Sequence, residues 1–316
     1  MTESLRPMNL GGILDRAVQV FRARYIVFFG LASIAGIAGL VFQLAIAYPK
    51  SAPSGGSKNG GLVFASYAAA FVSWVAIVAL GVIVRAANCY AASKVNLGEA
   101  VTVREAFGLF TSKFWRLIGI SILQGIFAGW PFIIAGFLAV IIGAAVAPFG
   151  GAAFVVATVY ILGAIPCLAL YARYALAYPA TAIEGLTAGS AIDRSVKLSE
   201  GGRWRIFWGI VVVSVPSWGL VFGVSGLLEA LKNGNALLAN NPLLVAGING
   251  VVGLIAALVF TPYSQIVLTL LYYDQRMRRE GFDVERMMQA AGLEESPALQ
   301  GDGGASLNTG TGESPA

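Results

Sequence analysis

The hydrophobic positions of this chain form six long runs, separated by shorter segments in which apolar and polar residues recur with helical spacing. The runs lie at about residues 25–47, 62–93, 115–146, 152–178, 204–231 and 243–273. Each reaches the roughly 20 residues that a helix needs to cross the hydrocarbon core of a bilayer. They are too long and too uniform for the strands of an outer-membrane barrel, which alternate over roughly ten residues. The pattern predicts an all-α integral membrane protein with six transmembrane helices.

Three shorter segments precede the first, third and fifth runs, and each has one apolar and one polar face. The first begins after Asn9, a residue suited to capping a helix, and places Asp15 on its polar face. The second, at about 103–110, has apolar residues at i, i+3, i+4 and i+7. The third, at about 188–200, is less hydrophobic but has the same spacing. We expect three amphipathic helices that lie at the membrane interface.

A short signature recurs where each of these helices meets the following run: a basic residue, then an aromatic residue, then a glycine five positions after the aromatic. The copies are Arg24, Tyr25 and Gly30; Lys113, Phe114 and Gly119; and Arg203, Trp204 and Gly209. Because their basic residues are 89 and 90 residues apart, we predict three tandem repeats, each an amphipathic interfacial helix plus a two-helix hairpin. The repeats lie at about 9–95, 101–181 and 188–275. This register aligns Leu14 with Val103 and Phe21 with Phe110.

The distribution of charge indicates how the chain is oriented. Of 21 Lys and Arg residues, only Lys50, Lys58 and Lys232 fall in the loops on one side of the predicted bundle. The positive-inside rule then places both termini and all three amphipathic helices in the cytoplasm. We expect residues 1–291 to form the six-helix membrane domain and residues 292–316, rich in Gly and Ser, to be a disordered cytoplasmic tail.

Composition argues against most catalytic chemistry. The chain is 57% hydrophobic and 12% charged, and it contains no histidine, the commonest general base and a leading metal ligand. Cys89 and Cys167 form no CxxC motif, and no pair of carboxylates lies within an apolar run. We predict no catalytic residue, no cofactor and no metal site.

Charged residues near the ends of the runs are candidates for structural or lipid-facing roles. Those on the polar segments and at their joints with the spans are Arg24, Lys113, Arg203, Asp15, Asp193, Arg194 and Asp274. At each joint we expect the basic residue among the lipid headgroups, the aromatic residue in the interfacial belt, and the glycine at a packing contact one turn deeper.

Arg85 and Arg173 follow the basic residues of their repeats by 61 and 60 positions, at the ends of second helices, where the third repeat has Tyr263 or Ser264. A guanidinium in hydrocarbon is costly unless it is paired. One hypothesis is that each arginine pairs with a carboxylate of an interfacial helix and clamps that helix onto the bundle. The carboxylates considered are Asp15, Glu105 and Asp193. The alternative is that both arginines snorkel to lipid phosphate.

Prolines inside the runs raise a further hypothesis. They are Pro131, Pro166, Pro216 and Pro262. Transporters build binding sites from helices that are broken near the middle of the membrane, although proline is common in membrane helices in general. The central segments offer few polar residues beyond Gln43, Gln124 and Asn249.

Three stretches together resemble a known family. They are Leu10 to Arg16 after the Arg6, Pro7 lead, Ala191 to Trp204, and Leu270 to Asp283 with its Tyr273, Asp274 and closing Glu280, Gly281, Phe282, Asp283. Over about Leu5 to Asp283 the chain resembles the bacterial multipass family named for the membrane domain of glycerophosphoryl diester phosphodiesterase. The resemblance implies a six-helix protein of the bacterial inner membrane. The phosphodiesterase carries its chemistry in a separate soluble barrel domain, for which this chain has neither the length nor the histidines.

We therefore expect a non-enzymatic membrane scaffold or accessory module. Its basic cytoplasmic face would contact membrane lipids or a membrane-protein partner, and we expect no nucleic acid. The alternative is a small transporter or channel with a site inside the helix bundle. A hydrated cavity lined by polar groups at mid-depth would favour that alternative.

Overall fold

The computed structural model describes residues 8–51, 60–146, 152–232 and 234–280, and within these ranges every regular element is a helix. In chain order the helices are α1 (Leu10–Ala23), α2 (Tyr25–Ser51), α3 (Gly60–Asn96), α4 (Val103–Thr111), α5 (Phe114–Val146), α6 (Ala152–Tyr174), α7 (Ala177–Glu184), α8 (Ala188–Ser199), α9 (Arg203–Lys232), α10 (Ala236–Asn240) and α11 (Pro242–Glu280).

Six segments are long and apolar enough to cross a membrane, which confirms the predicted spans. They are α2, α3, α5, α6 continued by α7, α9 and α11. α11, the helix of the sixth span, continues beyond the predicted apolar run to Glu280, and a short helix, α10, lies between the fifth and sixth spans. The side chain of Asn235 caps α10 and explains its start. The residues between the third and fourth runs, most of those between the first and second runs, and the tail at 292–316 lie outside the described residues.

The most closely packed part of the molecule lies at one end of the bundle, beside α1, α4 and α8, which we call the collar helices. We call this end the collar side and the opposite end the loop side. The second span of each hairpin ends on the collar side. Its buried residues concentrate at 82–92 of α3, 172–181 of α6 and α7, and 265–275 of α11. The core is therefore built mainly from these three helix ends, and the collar helices cover it.

Towards the loop side the spans expose large apolar side chains. Phe64, Phe137 and Phe222, for example, are 75%, 69% and 71% exposed. Lipid tails are as apolar as these side chains, so packing them against protein instead of lipid gains little. Near the water, by contrast, burial stabilises by about 25 cal/mol per Å² of apolar surface. This difference accounts for a closely packed collar side and a looser loop side.

The collar helices share a burial pattern that is counted from their N-caps, Asn9, Thr102 and Thr187. The fourth and eighth residues after each cap are fully buried: Ile13 and Ala17, Ala106 and Phe110, Ala191 and Ser195. This register differs from the predicted one, which aligned Phe21 with Phe110. The reason is that α1, with 14 residues, is about one turn longer than α4, with 9.

The joints predicted from the sequence lie between a collar helix and a span. Arg24 separates α1 from α2, Lys113 lies between α4 and α5, and Arg203 begins α9 after α8 has ended. The following aromatic residues Tyr25 and Trp204 are 50% and 71% exposed, as expected of side chains that face lipid.

The three signature glycines lie at close packing contacts. A Cβ added at Gly30 would lie 2.8 Å from Val103 Cγ2, at Gly119 3.1 Å from Ala188 Cβ, and at Gly209 2.8 Å from Leu271 Cδ1 and 3.8 Å from Leu10 Cδ1. Val103, Ala188 and Leu10 are the first residues of α4, α8 and α1. Gly30 and Gly119 therefore make room for the start of a collar helix that belongs to the next hairpin, whereas Gly209 makes room mainly for Leu271 of its own hairpin.

The second hairpin has a break between α6 and α7, and a side chain of α8 fills it. The hydroxyl of Ser195 accepts the N–H of Leu176 at 3.1 Å and donates to the carbonyl of Arg173 at 2.9 Å. The side-chain amide of Gln124 donates to the carbonyl of Tyr174 at 2.7 Å. An inserted side chain is a known cause of helix interruption. The four prolines, Pro131, Pro166, Pro216 and Pro262, lie inside continuous helices, so they do not produce the broken helices that were considered.

Candidate functional site

Most of the predicted surface residues lie on the collar side and face outwards. The exposed ones are Arg24, Arg203, Asp15 and Asp193. None of these four forms an ion pair within the described parts of the chain. Lys113 is half-buried, and its Nζ lies 5.7 Å from the centroid of the Phe110 ring. The structure does not gather these residues into one site.

Asp274, by contrast, is fully buried at the collar end of α11 and has three partners. Its carboxylate accepts the backbone N–H of Met8 at 3.0 Å and the guanidinium of Arg278 at 3.0 Å, and it lies 3.3 Å from that of Arg205. Arg205 and Arg278 also donate to the carbonyl of Met8. The carboxylate therefore joins the start of the described chain to α9 and α11.

Arg194 belongs to a second charged cluster, between α7, α8 and α11. It donates to Glu184 at 3.1 and 3.2 Å and to Glu280 at 2.8 Å. Arg276 bonds to Glu280 at 3.2 Å, and the hydroxyl of Tyr272 donates to Glu184. Hydrogen bonds to Glu280 and Glu184 raise the pKa of Arg194 above its ordinary value, so this residue stays cationic. Both clusters fasten helices together on the collar side.

Arg85 and Arg173 do not form the clamp that was one of the two hypotheses for them. Neither guanidinium pairs with Asp15, Glu105 or Asp193. Asp15 and Asp193 lie on the outward faces of their collar helices, whereas Arg85 lies deeper, on the inner part of α3. The guanidinium of Arg173 lies 5.9 Å from the ring centroid of the tyrosine that follows it.

Arg85 lies inside the bundle. It is five residues, or about 7 Å along the helix, further into the spans than Tyr90, whose hydroxyl donates to Glu105 of the collar helix α4 at 3.2 Å. Its guanidinium carbon lies 6.0 Å from the centroid of the Tyr178 ring. Its neighbours in α3 are buried, whereas Arg85 itself is exposed, because its side chain faces open space between the spans.

This open space consists of three adjoining cavities, all of which Arg85 lines. The proximal cavity, of about 200 Å³, lies between Arg85, α9 and α11 and contains the hydroxyl of Ser214 and the amide of Gln265. The polar cavity, of about 370 Å³, lies between α2, α3, α9 and α11. The lateral cavity, of about 550 Å³, lies between α5, α6 and α9. The two larger volumes fall in the range of about 300–1,000 Å³ that is usual for ligand pockets.

The polar cavity leads from Arg85 towards the loop side. Thr261 lines it near Arg85, and Gln43, Ser225 and Asn249 line its far end. Ser225 donates to the side-chain carbonyl of Asn249 at 3.0 Å. Since Thr261 and Asn249 are twelve residues apart on one helix, the polar groups at the two ends of the cavity lie about 18 Å apart along the bundle. Gln43 and Asn249, two of the few polar residues in the central segments, thus line the same cavity as Arg85.

The charge of Arg85 is not balanced by any carboxylate among the described residues. The ionisable groups nearest to its guanidinium are two phenols, Tyr171 and Tyr178, and the thiol of Cys89. Intramembrane arginines are rare, face the bundle interior or a water-filled cavity, and mark ligand or ion pathways. The cavities around Arg85 are therefore suited to an anionic group.

These features define the class of protein: a multipass helical membrane protein with six spans and a cationic cavity among them. The family model described as the membrane domain of glycerophosphoryl diester phosphodiesterase matches residues 149–291. This match confirms the resemblance inferred from the sequence, and it concerns the membrane domain of the phosphodiesterase rather than its catalytic domain. Asp274 lies within the matched range, whereas Arg85 lies before it. No curated protein and no solved structure matches the chain.

Sequence reasoning missed the partners of the residues that it selected. It named Asp274 and Arg194 but not Arg205 or Glu184. The contact of Arg205 with Asp274 joins helices that are distant along the chain, whereas that of Glu184 with Arg194 joins two consecutive helices. The only local signal was the position of Arg205 two residues after Arg203, on the same side of the bundle. Among the described residues, no group of three His, Cys, Asp or Glu side chains is arranged to hold a metal.

Proposed function

We propose that this protein binds an anionic group, a phosphate or a carboxylate, at Arg85 inside the membrane, and that it acts as a small non-enzymatic transporter. The observation that carries the proposal is the guanidinium of Arg85, which has no carboxylate partner among the described residues and lines three cavities. A polar cavity among the spans is the feature that separates a transporter from a scaffold. It favours the transporter, which the sequence alone left as the alternative.

The polar cavity supplies a route for the bound group. Thr261, Ser225, Asn249 and Gln43 offer hydroxyl and amide donors along it, and such donors can replace water around an anion. A second polar group, the side-chain amide of Gln124, lies beside Arg85 in the lateral cavity. Since a charge is costly in hydrocarbon, polar groups at the two ends of this cavity lower the barrier to movement of the anion between Arg85 and the loop side.

We further propose that the collar side faces the cytoplasm of a bacterium, with the protein in the inner membrane and both termini on that side. The supporting observation is the charge distribution: of 21 Lys and Arg residues, only three lie in loops on the opposite side. The collar helices would then lie among anionic headgroups, with Arg24 and Arg203 exposed to them. This basic face is also the specific observation that supports the second candidate function, a scaffold for lipids or for a membrane-protein partner.

The proposal of three tandem repeats gains support from the signature glycines. Gly30 contacts the start of α4, Gly119 the start of α8, and Gly209 approaches the start of α1. The first two contacts each connect a hairpin to the following collar helix, and the third returns to the first collar helix. We propose that the three units form a closed ring around an axis along the membrane normal, with Arg85 of the first unit turned towards its centre.

The test is to ask what co-purifies with the protein. We would release the wild type and Arg85→Gln from native membranes and record native mass spectra, with Arg24→Gln as a control that also removes one cationic charge. A hydrogen bond to a charged group contributes about 1.5–3 kcal/mol, so Arg85→Gln should lower the affinity for the bound anion roughly 10- to 150-fold. Arg85→Lys should restore part of the binding, since it keeps the charge and loses the two-pronged geometry.

Two results would count against the proposal. If the same anionic adduct stays on Arg85→Gln and is lost from Arg24→Gln, the ligand binds the basic face and not the cavity. If the wild type instead carries a stoichiometric protein partner and no anion, the scaffold is the better account.

A further inference from the structure

The lining of the lateral cavity restricts which classes of ligand can bind at Arg85, and this inference rests on the proposed function of Arg85. On one wall, α5 contributes Gly125, Ala128, Gly129 and Phe132, and α9 stands opposite with Trp218. A Cβ added at Gly125 or Gly129 would meet no atom within 4 Å. The two helices therefore leave a real gap between them, and the lining far from Arg85 is apolar.

The gap differs from the seam between the first and third hairpins, where α2 packs directly on α11. A Cβ at Gly36 would lie 2.7 Å from Leu254 Cδ1, and one at Gly250 would lie 3.3 Å from Leu40 Cγ. At that seam, side chains of the neighbouring helix occupy the space beside the glycines, whereas Gly129 of α5 faces open space. The bundle is thus closed on one side and open between α5 and α9.

The opening leads to the bilayer. Phe132 and Trp218, at the edge of the lateral cavity, are each 46% exposed. At the other end of the same cavity, the lining contains Arg85 together with the polar side chains of Ser121 and Gln124. A ligand that occupies the whole cavity has to present a charged group at one end and hydrocarbon at the other.

We infer that the ligand of Arg85 is an anionic amphiphile of the bilayer, with its phosphate or carboxylate at Arg85 and its acyl chain in the lateral cavity. The chain moves from lipid into a cavity of similar polarity, so its transfer contributes little to affinity. The affinity and the selectivity then come from the head. A zwitterionic head brings its own cation close to the Arg85 guanidinium and is disfavoured, whereas a small soluble anion leaves the apolar part of the cavity unused.

The experiment uses the full chain in nanodiscs of zwitterionic lipid and measures quenching of tryptophan fluorescence. Lysophosphatidic acid with a brominated acyl chain is added at a low mole fraction, and brominated lysophosphatidylcholine is the control with a zwitterionic head. Trp218→Phe identifies the part of the quenching that arises in the cavity. Gly129→Leu fills the lateral cavity without touching Arg85, and Gly219→Leu is its matched control, because Gly219 also faces open space but lines none of the three cavities.

We expect saturable quenching of Trp218 by the anionic lipid only, with an affinity at least ten-fold weaker in both Arg85→Gln and Gly129→Leu and unchanged in Gly219→Leu. If Arg85→Gln abolishes binding while Gly129→Leu does not, and inorganic phosphate competes, the site takes an anion without a chain. That result overturns the amphiphile and leaves the proposed function standing. If neither Arg85→Gln nor Gly129→Leu changes the quenching, both the amphiphile inference and the proposed function are wrong. A Gly129→Leu protein that is not monodisperse is replaced by Gly125→Leu, which enters the same open space.

Discussion

Replacing the small buried side chain of Asp274 should lower the stability of the folded protein by several kcal/mol, as follows from its contacts. It is fully buried, while its partners Arg205 and Arg278 are 21% and 40% exposed. Asp274→Ala leaves these two guanidiniums side by side without their carboxylate and frees the backbone N–H of Met8. Breaking a buried ion pair by removing one partner costs about 3–5 kcal/mol. Since the arginines are partly solvated, we discount this to about 2–4 kcal/mol.

The assay is thermal unfolding of the purified protein in detergent, followed by circular dichroism. We expect the apparent melting temperature of Asp274→Ala to fall by roughly 5–10 °C. Glu229→Gln is the control, because Glu229 pairs with Lys232 on the loop side but is 66% exposed, and it should give no measurable change. If Asp274→Ala melts together with this control, the carboxylate does not hold the N-terminal segment, α9 and α11 together, and the stability of the collar side has another origin.

Two further predictions concern the collar helices. Ser195→Ala leaves the N–H of Leu176 and the carbonyl of Arg173 without their partner at the break between α6 and α7. The free energy of unfolding, measured in the same assay, should fall by about 1–3 kcal/mol. A change below the error of the measurement would mean that the break does not depend on Ser195. Asn9→Ala should lower the free energy of unfolding by about 1 kcal/mol, because Asn9 caps α1 by a hydrogen bond. Thr187→Ala should lower it by less, because the side chain of Thr187 makes no capping bond to α8. Equal losses of stability in the two variants would contradict the capping argument.

Particular residues show how far sequence reasoning reached. The joint at Arg24 and the start of α1 after Asn9 were predicted correctly, because a helix cap and a change from an amphipathic to an apolar pattern are local signals. The register of α1 against α4 was wrong by about one turn, because the length of a collar helix is set by what it packs against. The break before α7 was not predicted, because it depends on Ser195, a residue of another helix.

The charged residues show the same division. The sequence identified Arg85 as an unusual charge but suggested carboxylate partners for it that the fold places elsewhere. Gln43 and Asn249 were noted as isolated polar residues, and the fold brings them into one cavity with Arg85. Spacing along the chain does not predict that these three residues line one cavity, since they lie on three different helices.

By itself, the sequence determined that this is a helical membrane protein with six spans, and it located three surface helices and their joints. These properties depend on the length and period of hydrophobic patterns, which act within one helix. Only the tertiary structure decided that Asp274 is buried and joins three segments, and that one seam of the bundle is closed while the gap between α5 and α9 is open. It also decided that Arg85 faces a cavity in which no described residue supplies a carboxylate counter-charge. Inside a bilayer, apolar side chains are nearly as stable against lipid as against protein. The faces that meet are therefore chosen by close packing and by a few polar contacts between distant helices, which only the folded chain brings together.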